Sequence, residues 1–211
     1  MAMEGCRRGL RKRCPSREKP PEDAASWHNK GLNLYKLYRD DEALHCFEKA
    51  VELDPGHADA WLHRGACMTE LRRTDESLHC CERALDLSPY NARAWSLKGA
   101  CLYDLDRFEA ALPCFDWALE LDQSNADARV IKGACLINLD RVEEGLQCCE
   151  KALELDAGHA LGWYIKAAAE ERLGHIQEAA LSFRQFISLA PGEYAAQIES
   201  AHEALQDLEG K

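Results

Sequence analysis

The chain has 211 residues, 46% hydrophobic and 30% charged, with 37 Asp plus Glu against 26 Lys plus Arg, a formal net charge of −11. Such a composition is globular, and its negative balance argues against a general polyanion binder, whose affinity comes from neutralised phosphates. No run of about 18 apolar residues is present to cross a bilayer, and eleven cysteines without an apolar leader read as reduced thiols of a cytoplasmic chain.

Residues 1–23 differ from everything that follows. Arg7, Arg8, Arg11, Lys12, Arg13, Arg17 and Lys19 stand against Glu4 and Glu18, a net +5 over residues 1–19. Pro15, Pro20 and Pro21 punctuate the segment. It reads as a disordered arm, ending where Pro21-Glu22-Asp23 sets acids at the positive end of a first helix. Three roles are open to it: a solvated tail, a contact with an anionic surface such as nucleic acid, or docking onto an acidic groove of its own chain.

From residue 24 the chain repeats itself. Trp27, Trp61, Trp95 and Trp163 are 34, 34 and 68 residues apart, with Arg129 at the skipped place. Four residues after each come Gly31, Gly65, Gly99, Gly133 and Ala167; a second small register holds Ala43, Ser77, Ala111, Gly145 and Ala179. The units are 24–57, 58–91, 92–125, 126–159 and 160–193, followed by a tail, 194–211. Each unit reads as two helices. In the second, Trp61, Gly65, Met68 and Leu71 keep the helical period, Arg72-Arg73-Thr74 turns, and Leu78, Cys81, Ala84 and Leu85 begin again. Pro89 stops that helix. No stretch alternates as a strand would. The small residues let helix axes approach closely, which offsets the roughly 1 kcal/mol that Gly costs inside a helix. The fourth unit, with Arg129 for Trp, Gly145 for Ala and Ala157 for Pro, is expected to be the weakest. In the tail, Ile198, Ala201, Leu205 and Leu208 share one face, as a capping helix requires.

Nine of the eleven cysteines sit in repeat registers, among them Cys67, Cys101 and Cys135 in three copies of Gly-Ala-Cys. Cys81 and Cys149 stand where other units carry Phe47, Phe115 and Phe183, which marks a packing register. A thiol- or metal-handling protein is the alternative, but there is no Cys-x-x-Cys, and equivalent cysteines one helix pair apart cannot share an ion. No motif implies a catalytic group, a metal or a cofactor. A basic column (Lys30, Arg64, Lys98, Lys132, Lys166) is expected to pair with carboxylates such as Glu48, Glu82 and Glu120.

At Trp27, Gly31, Leu34, Ala43, Phe47, Ala50 and Pro55, and again at Trp95, Gly99, Leu102, Ala111, Phe115 and Ala118, the sequence resembles the tetratricopeptide repeat. That resemblance covers 170 of 211 residues. It implies an all-α solenoid, wound as a right-handed superhelix with a concave groove, and a non-enzymatic scaffold that binds other proteins. The groove positions it carries over include His28 and Tyr35; Asp59, Leu62, Ala66 and Glu70; Arg93, Ser96, Ala100, Tyr103 and Asp104; Asp127, Val130, Ala134 and Ile137; and Tyr164 and Arg172. A small apolar floor with acids at its rim implies a partner peptide or amphipathic helix with basic flanks. The family's clamp for acidic chaperone tails does not fit: of His28, Leu32, His63, Arg93 and Leu97 at its positions, one matches.

Overall fold

The structure, a computed structural model, describes residues 23–209. Five helix pairs follow one another: α1 (Ala24–Tyr35) and α2 (Asp40–Leu53), α3 (Ala58–Glu70) and α4 (Thr74–Leu87), α5 (Ala92–Asp104) and α6 (Phe108–Leu121), α7 (Ala126–Asn138) and α8 (Val142–Leu155), α9 (Ala160–Arg172) and α10 (Ile176–Leu189). A 3₁₀ turn, Gly192–Tyr194, leads into α11 (Ala195–Glu209). No strand occurs among the described residues, and no helix among them is long and apolar enough to cross a membrane. The fold is an all-α solenoid. Each helix packs on its chain neighbours, and α1, α3, α5, α7 and α9 also touch in succession, which makes them one continuous layer.

Local chemistry fixes the ends of these helices. The residue before each first helix accepts a bond from an orphan backbone N–H. The acceptors are Asp23 Oδ1 for Ser26 (2.7 Å), His57 Nδ1 for Ala60 (3.3 Å), Asn91 Oδ1 for Ala94 (3.1 Å), Asn125 Oδ1 for Ala128 (2.9 Å) and His159 Nδ1 for Gly162 (3.1 Å). Between the helices of a pair the backbone turns through the left-handed region, at Tyr38, Arg72, Asp106, Asp140 and Gly174, with φ from 54° to 76°. The next N–H then reaches back five residues, as from Arg73 to Met68 O at 2.8 Å, and closes the first helix.

Within a pair, small residues set the separation. A Cβ on Gly31 would stand 2.6 Å from the Phe47 ring, and one on Gly99 would stand 2.8 Å from that of Phe115. Both rings are fully buried. In the second unit, where Cys81 replaces the ring, a Cβ on Gly65 would meet Cys80 at a looser 3.2 Å.

Between units, the indole N–H spans the joint. Trp61 Nε1 donates to Pro55 O (3.0 Å), Trp95 Nε1 to Pro89 O (2.8 Å) and Trp163 Nε1 to Ala157 O (2.9 Å). At the third joint, between units three and four, Arg129 Nη2 donates to Gln123 O (2.6 Å), so a guanidinium makes the bond that an indole makes elsewhere. The basic column is also used here. Lys30, Arg64, Lys98 and Lys166 lie 5.3 to 5.8 Å from the centre of the tryptophan ring three residues before them. Arg64 meets Glu48 and Lys98 meets Glu82, while Lys132 meets Asp116 and Lys166 meets Glu150 of the preceding helix; Glu120 takes no part in these pairs.

The fourth unit thus keeps its joint. Its other departure, Gly145, answers a crowded neighbour: a Cβ there would come within 2.6 Å of Ile137 Cγ1 and 2.8 Å of Gly133 O. The fifth unit buries Glu170 where other units place Leu34, Met68, Leu102 and Leu136. Ser182 Oγ donates to it at 2.6 Å, and Lys166 lies 3.6 Å away. Ala201, Leu205 and Leu208 of α11 close the last core against Phe183 and Phe186.

Gly145→Ala is expected to cost about 1–3 kcal/mol, because backbone and a buried β-branched side chain would have to move. Gly65→Ala should cost less, since its neighbour stands farther off and helix propensity returns up to about 1 kcal/mol. Urea unfolding midpoints of the two variants check this ranking.

Candidate functional site

The first-helix layer carries an open cleft of about 260 Å³ that runs from the first unit to the start of the fourth. Tyr35, Leu62 and Ala66 form one side, and Ser96, Leu97 and Ala100 the other. His63, Arg93, Asn125 and Asp127 supply its polar groups. A second cavity, about 350 Å³, lies at the far end of α1 between Tyr35, Lys36, Tyr38, Asp40 and Glu70. Tyr35 borders both.

Seven of the residues read from the sequence as groove positions meet at the first cleft: Tyr35, Leu62, Ala66, Arg93, Ser96, Ala100 and Asp127. Asp59, Glu70 and Asp104 are exposed on the same helices. Burial pushes the Asp104 carboxyl above its usual range, and Arg72 pulls the other way. Asp127 is partly engaged: His159 Nε2 lies 2.9 Å from its Oδ1, which lowers the carboxyl and raises the imidazole.

The rest of the expected groove is filled by the array itself. Val130 is 0% exposed, and its Cγ2 lies 3.2 Å from where a Cβ on Gly162 would stand, so it fills the space that this glycine leaves. Ile137 leans into its own pair at Gly145, and Ala134 is buried beside it in the sequence. These three belong to the core, not to a ligand surface. Arg172 is spent on structure as well: Nη1 donates to Ile137 O (2.6 Å) and Nη2 to Asp140 Oδ1 (2.7 Å). Tyr164 packs edge-on and tilted against Phe183 and Phe186, and Tyr103 tilts against Phe108, both half-buried.

His28 is also a correction. It is buried, with its ring 4.7 Å from that of His57, 5.1 Å from His63 and 5.6 Å from Phe47. His63 Nδ1 lies 2.7 Å from Asp59 O, a carbonyl, so this nitrogen donates; His28 Nε2, 3.1 Å from the same nitrogen, must accept and is neutral. Burial, with His63 and His57 adding to it, holds His28 down at about 4, and burial lowers His63 too. His63, Leu97 and Asn125 line the cleft outside the positions carried over from the resemblance. Asn125 reaches the mouth of the cleft as the N-cap of α7, where its Oδ1 accepts from Ala128 N–H.

The repeat cysteines are packing groups. Cys46, Cys67, Cys80, Cys81, Cys101, Cys114, Cys135 and Cys149 are buried, and Cys148 is half-buried. Burial pushes Cys67, Cys135 and Cys149 up to about 12 and Cys80 to about 11. Cys101 Sγ donates to Ser77 Oγ (3.2 Å), which in turn donates to Gly65 O (2.8 Å). Among the described residues no three His, Cys, Asp or Glu side chains converge as a metal site.

Stacked helical pairs with an open cleft on the first-helix layer define a protein-interaction scaffold of the helical-repeat class. The chain belongs to the tetratricopeptide repeat family: models of that repeat match residues 24–57, 46–79, 65–134 and 126–159. Among solved structures it is similar to YrrB, described as a TPR protein with an unusual peptide-binding site, at 25% identity and a TM-score of 0.66, over 84% of this chain and 91% of that one. A MamA structure from Desulfovibrio magneticus RS-1 superposes with a TM-score of 0.71 at 19% identity, over 80% and 96% of the two chains. The thermophilic TPR protein TTC0263 of Thermus thermophilus gives 0.70 at 18% identity, over 87% and 99%. No curated protein matches the chain in sequence.

Two solution measurements follow from this geometry. His28 is held below the usual 6.5, so the unfolded chain binds the proton first and stability falls as pH drops from 6.5 toward 4. At a pH of about 5.5 the loss from this one group is about 1.4 kcal/mol. His159 runs the other way: its contribution is intact below 6.5 and is lost as pH rises through its raised value. Urea midpoints should fall from neutral to mildly acid pH in the wild type, and fall less in His28→Gln. In a thiol titration of the native protein, the eight buried repeat cysteines should stay unreactive until the array unfolds.

Proposed function

We propose that this chain is a non-enzymatic adaptor of the cytoplasm that holds a segment of another protein in the cleft of its first-helix layer. Its organisation is a basic arm (1–23), five units (24–193) and a closing helix (194–211). The observation that carries the reading is the open, largely apolar cleft beside Ala66 and Ala100, with Asp127 in its lining and Asp59, Glu70 and Asp104 exposed on the same helix layer. Small floor residues leave room for a partner's side chains, and apolar contact with them would supply affinity. Carboxylates at the rim favour basic flanks and steer their approach. An amphipathic helix or an extended peptide meets both conditions. The likeness to YrrB, whose own site is described as peptide-binding, supports the same reading.

The test is selection of peptides from a displayed library against the wild type, followed by titration of the winners. Ala66→Arg and Ala100→Arg each fill the cleft from a half-buried position. Binding should fall at least tenfold, about 1.4 kcal/mol, with helicity and melting unchanged. Peptides that bind both variants as tightly as the wild type would place recognition elsewhere and end this reading.

A further inference from the structure

The chain is electrically divided. Residues 1–19 carry +5 of a total of −11, which leaves −16 on residues 20–211. The array's charges are not spent evenly. On the tryptophan side, Arg64, Lys98 and Lys132 meet Glu48, Glu82 and Asp116. On the first-helix layer, Asp59, Glu70 and Asp104 form no salt bridge among the described residues, and Asp127 meets only His159. The cleft lining itself holds one arginine, Arg93, and one carboxylate, Asp127; Lys36 borders the second cavity with Glu70, and Arg72 acts on Asp104.

The arm also joins the array at this place. Asp23 caps α1 through Ser26. Five residues on, the His28 ring lies 4.7 Å from that of His57, two residues before Asp59. The chain therefore enters beside the first exposed acid of the cleft. From there reach is ample. Ten residues separate Arg13 from Asp23, up to about 35 Å of chain, while α1 to α5 is two interhelical steps, about 20 Å.

We propose that the basic arm, residues 7–19, lies along the first-helix layer of its own chain across this cleft, bound to the exposed carboxylates Asp59, Glu70, Asp104 and Asp127. The inference shares its cleft with the reading above but not its ligand: it needs the cleft to be open and the exposed acids of its helix layer to be free, not an outside partner. An arm seated there competes with any basic peptide, so the apparent affinity of the cleft is reduced by the fraction of time it is uncovered. The Asp104 carboxyl, raised by burial, is restored by a cation brought alongside. The contact is coulombic and exposed, so salt weakens it.

The full chain is treated with a water-soluble carbodiimide, which joins a lysine amine to a carboxylate in contact with it, and the links are mapped by mass spectrometry. At about 20 mM salt, Lys12 and Lys19 should link within one molecule to Asp59, Glu70, Asp104 or Asp127, and the links should vanish at about 0.5 M, where the screening length is only a few ångströms. A full-length variant with Arg7→Glu, Arg8→Glu, Arg11→Glu and Arg13→Glu keeps both lysines and should lose the same links. In that variant a fluorescein-labelled peptide copying residues 1–20 should bind about fivefold tighter than to the wild type, the factor for a cleft covered about four-fifths of the time. Links confined to outer carboxylates such as Glu48 and Glu82, links between two molecules, or equal peptide affinities would each overturn the proposal. If the rim links form but no selected library peptide binds, the adaptor reading fails and this one stands.

Discussion

Two helices of a unit lie against each other because the residue at the crossing is glycine in four units and alanine, Ala167, in the fifth. At Gly31 and Gly99 the space is taken by a buried phenylalanine ring; at Gly133 and Gly145 the backbones themselves close it, with Gly133 O only 2.8 Å from where a Cβ on Gly145 would stand. That separation decides how far the tryptophan register stands from the carbonyl of the unit before it. The joint needs one N–H donor at that distance, and the donor need not be aromatic, as Arg129 demonstrates. Helix propensity, at about 1 kcal/mol lost per glycine, is surrendered at the crossings of units one to four, and stacking recovers it through cores shared between neighbours. No unit buries its faces alone.

Most of this was legible in the residues. Trp27, Trp61 and Trp95 at equal spacing, the glycines four residues on and Pro55 and Pro89 at the joints define both the period and the helix pairs. The caps were harder to see, because Asp23, His57, Asn91, Asn125 and His159 share an acceptor atom and a place, not a residue type. The groove was legible only in its first half. Val130 and Ile137 occupy the same register as Leu62 and Thr69, yet they face glycines, and a missing Cβ draws a β-branched side chain inward. Periodicity gives the face of a helix; it does not give the size of what stands opposite. The histidine cluster is illegible for a similar reason, since His28, His57 and His63 come from two units and meet only when these stack.

The array is therefore not five equal parts. The cleft runs from unit one to Asp127 at the start of unit four, and beyond it Val130, Ile137, Tyr164 and the Arg172 bridge to Asp140 pack within the array. Open cleft, exposed rim acids and the entry of a basic arm all fall at one end. The closed end carries the buried Glu170 and the capping helix. Recognition and anchorage are separated along the chain, so a change at one end need not disturb the other.

The arginine at the third joint has an optical consequence. Four of the five tryptophans, Trp27, Trp61, Trp95 and Trp163, mark the starts of units one, two, three and five, and the fifth, Trp117, stacks on Trp95 with ring centres 6.2 Å apart. Intrinsic emission is thus doubled in the third unit and blind between Gln123 and Arg129. A fracture of the array at that seam would pass unseen in a fluorescence trace while a helical signal fell, so disagreement between the two probes would locate the break without any label.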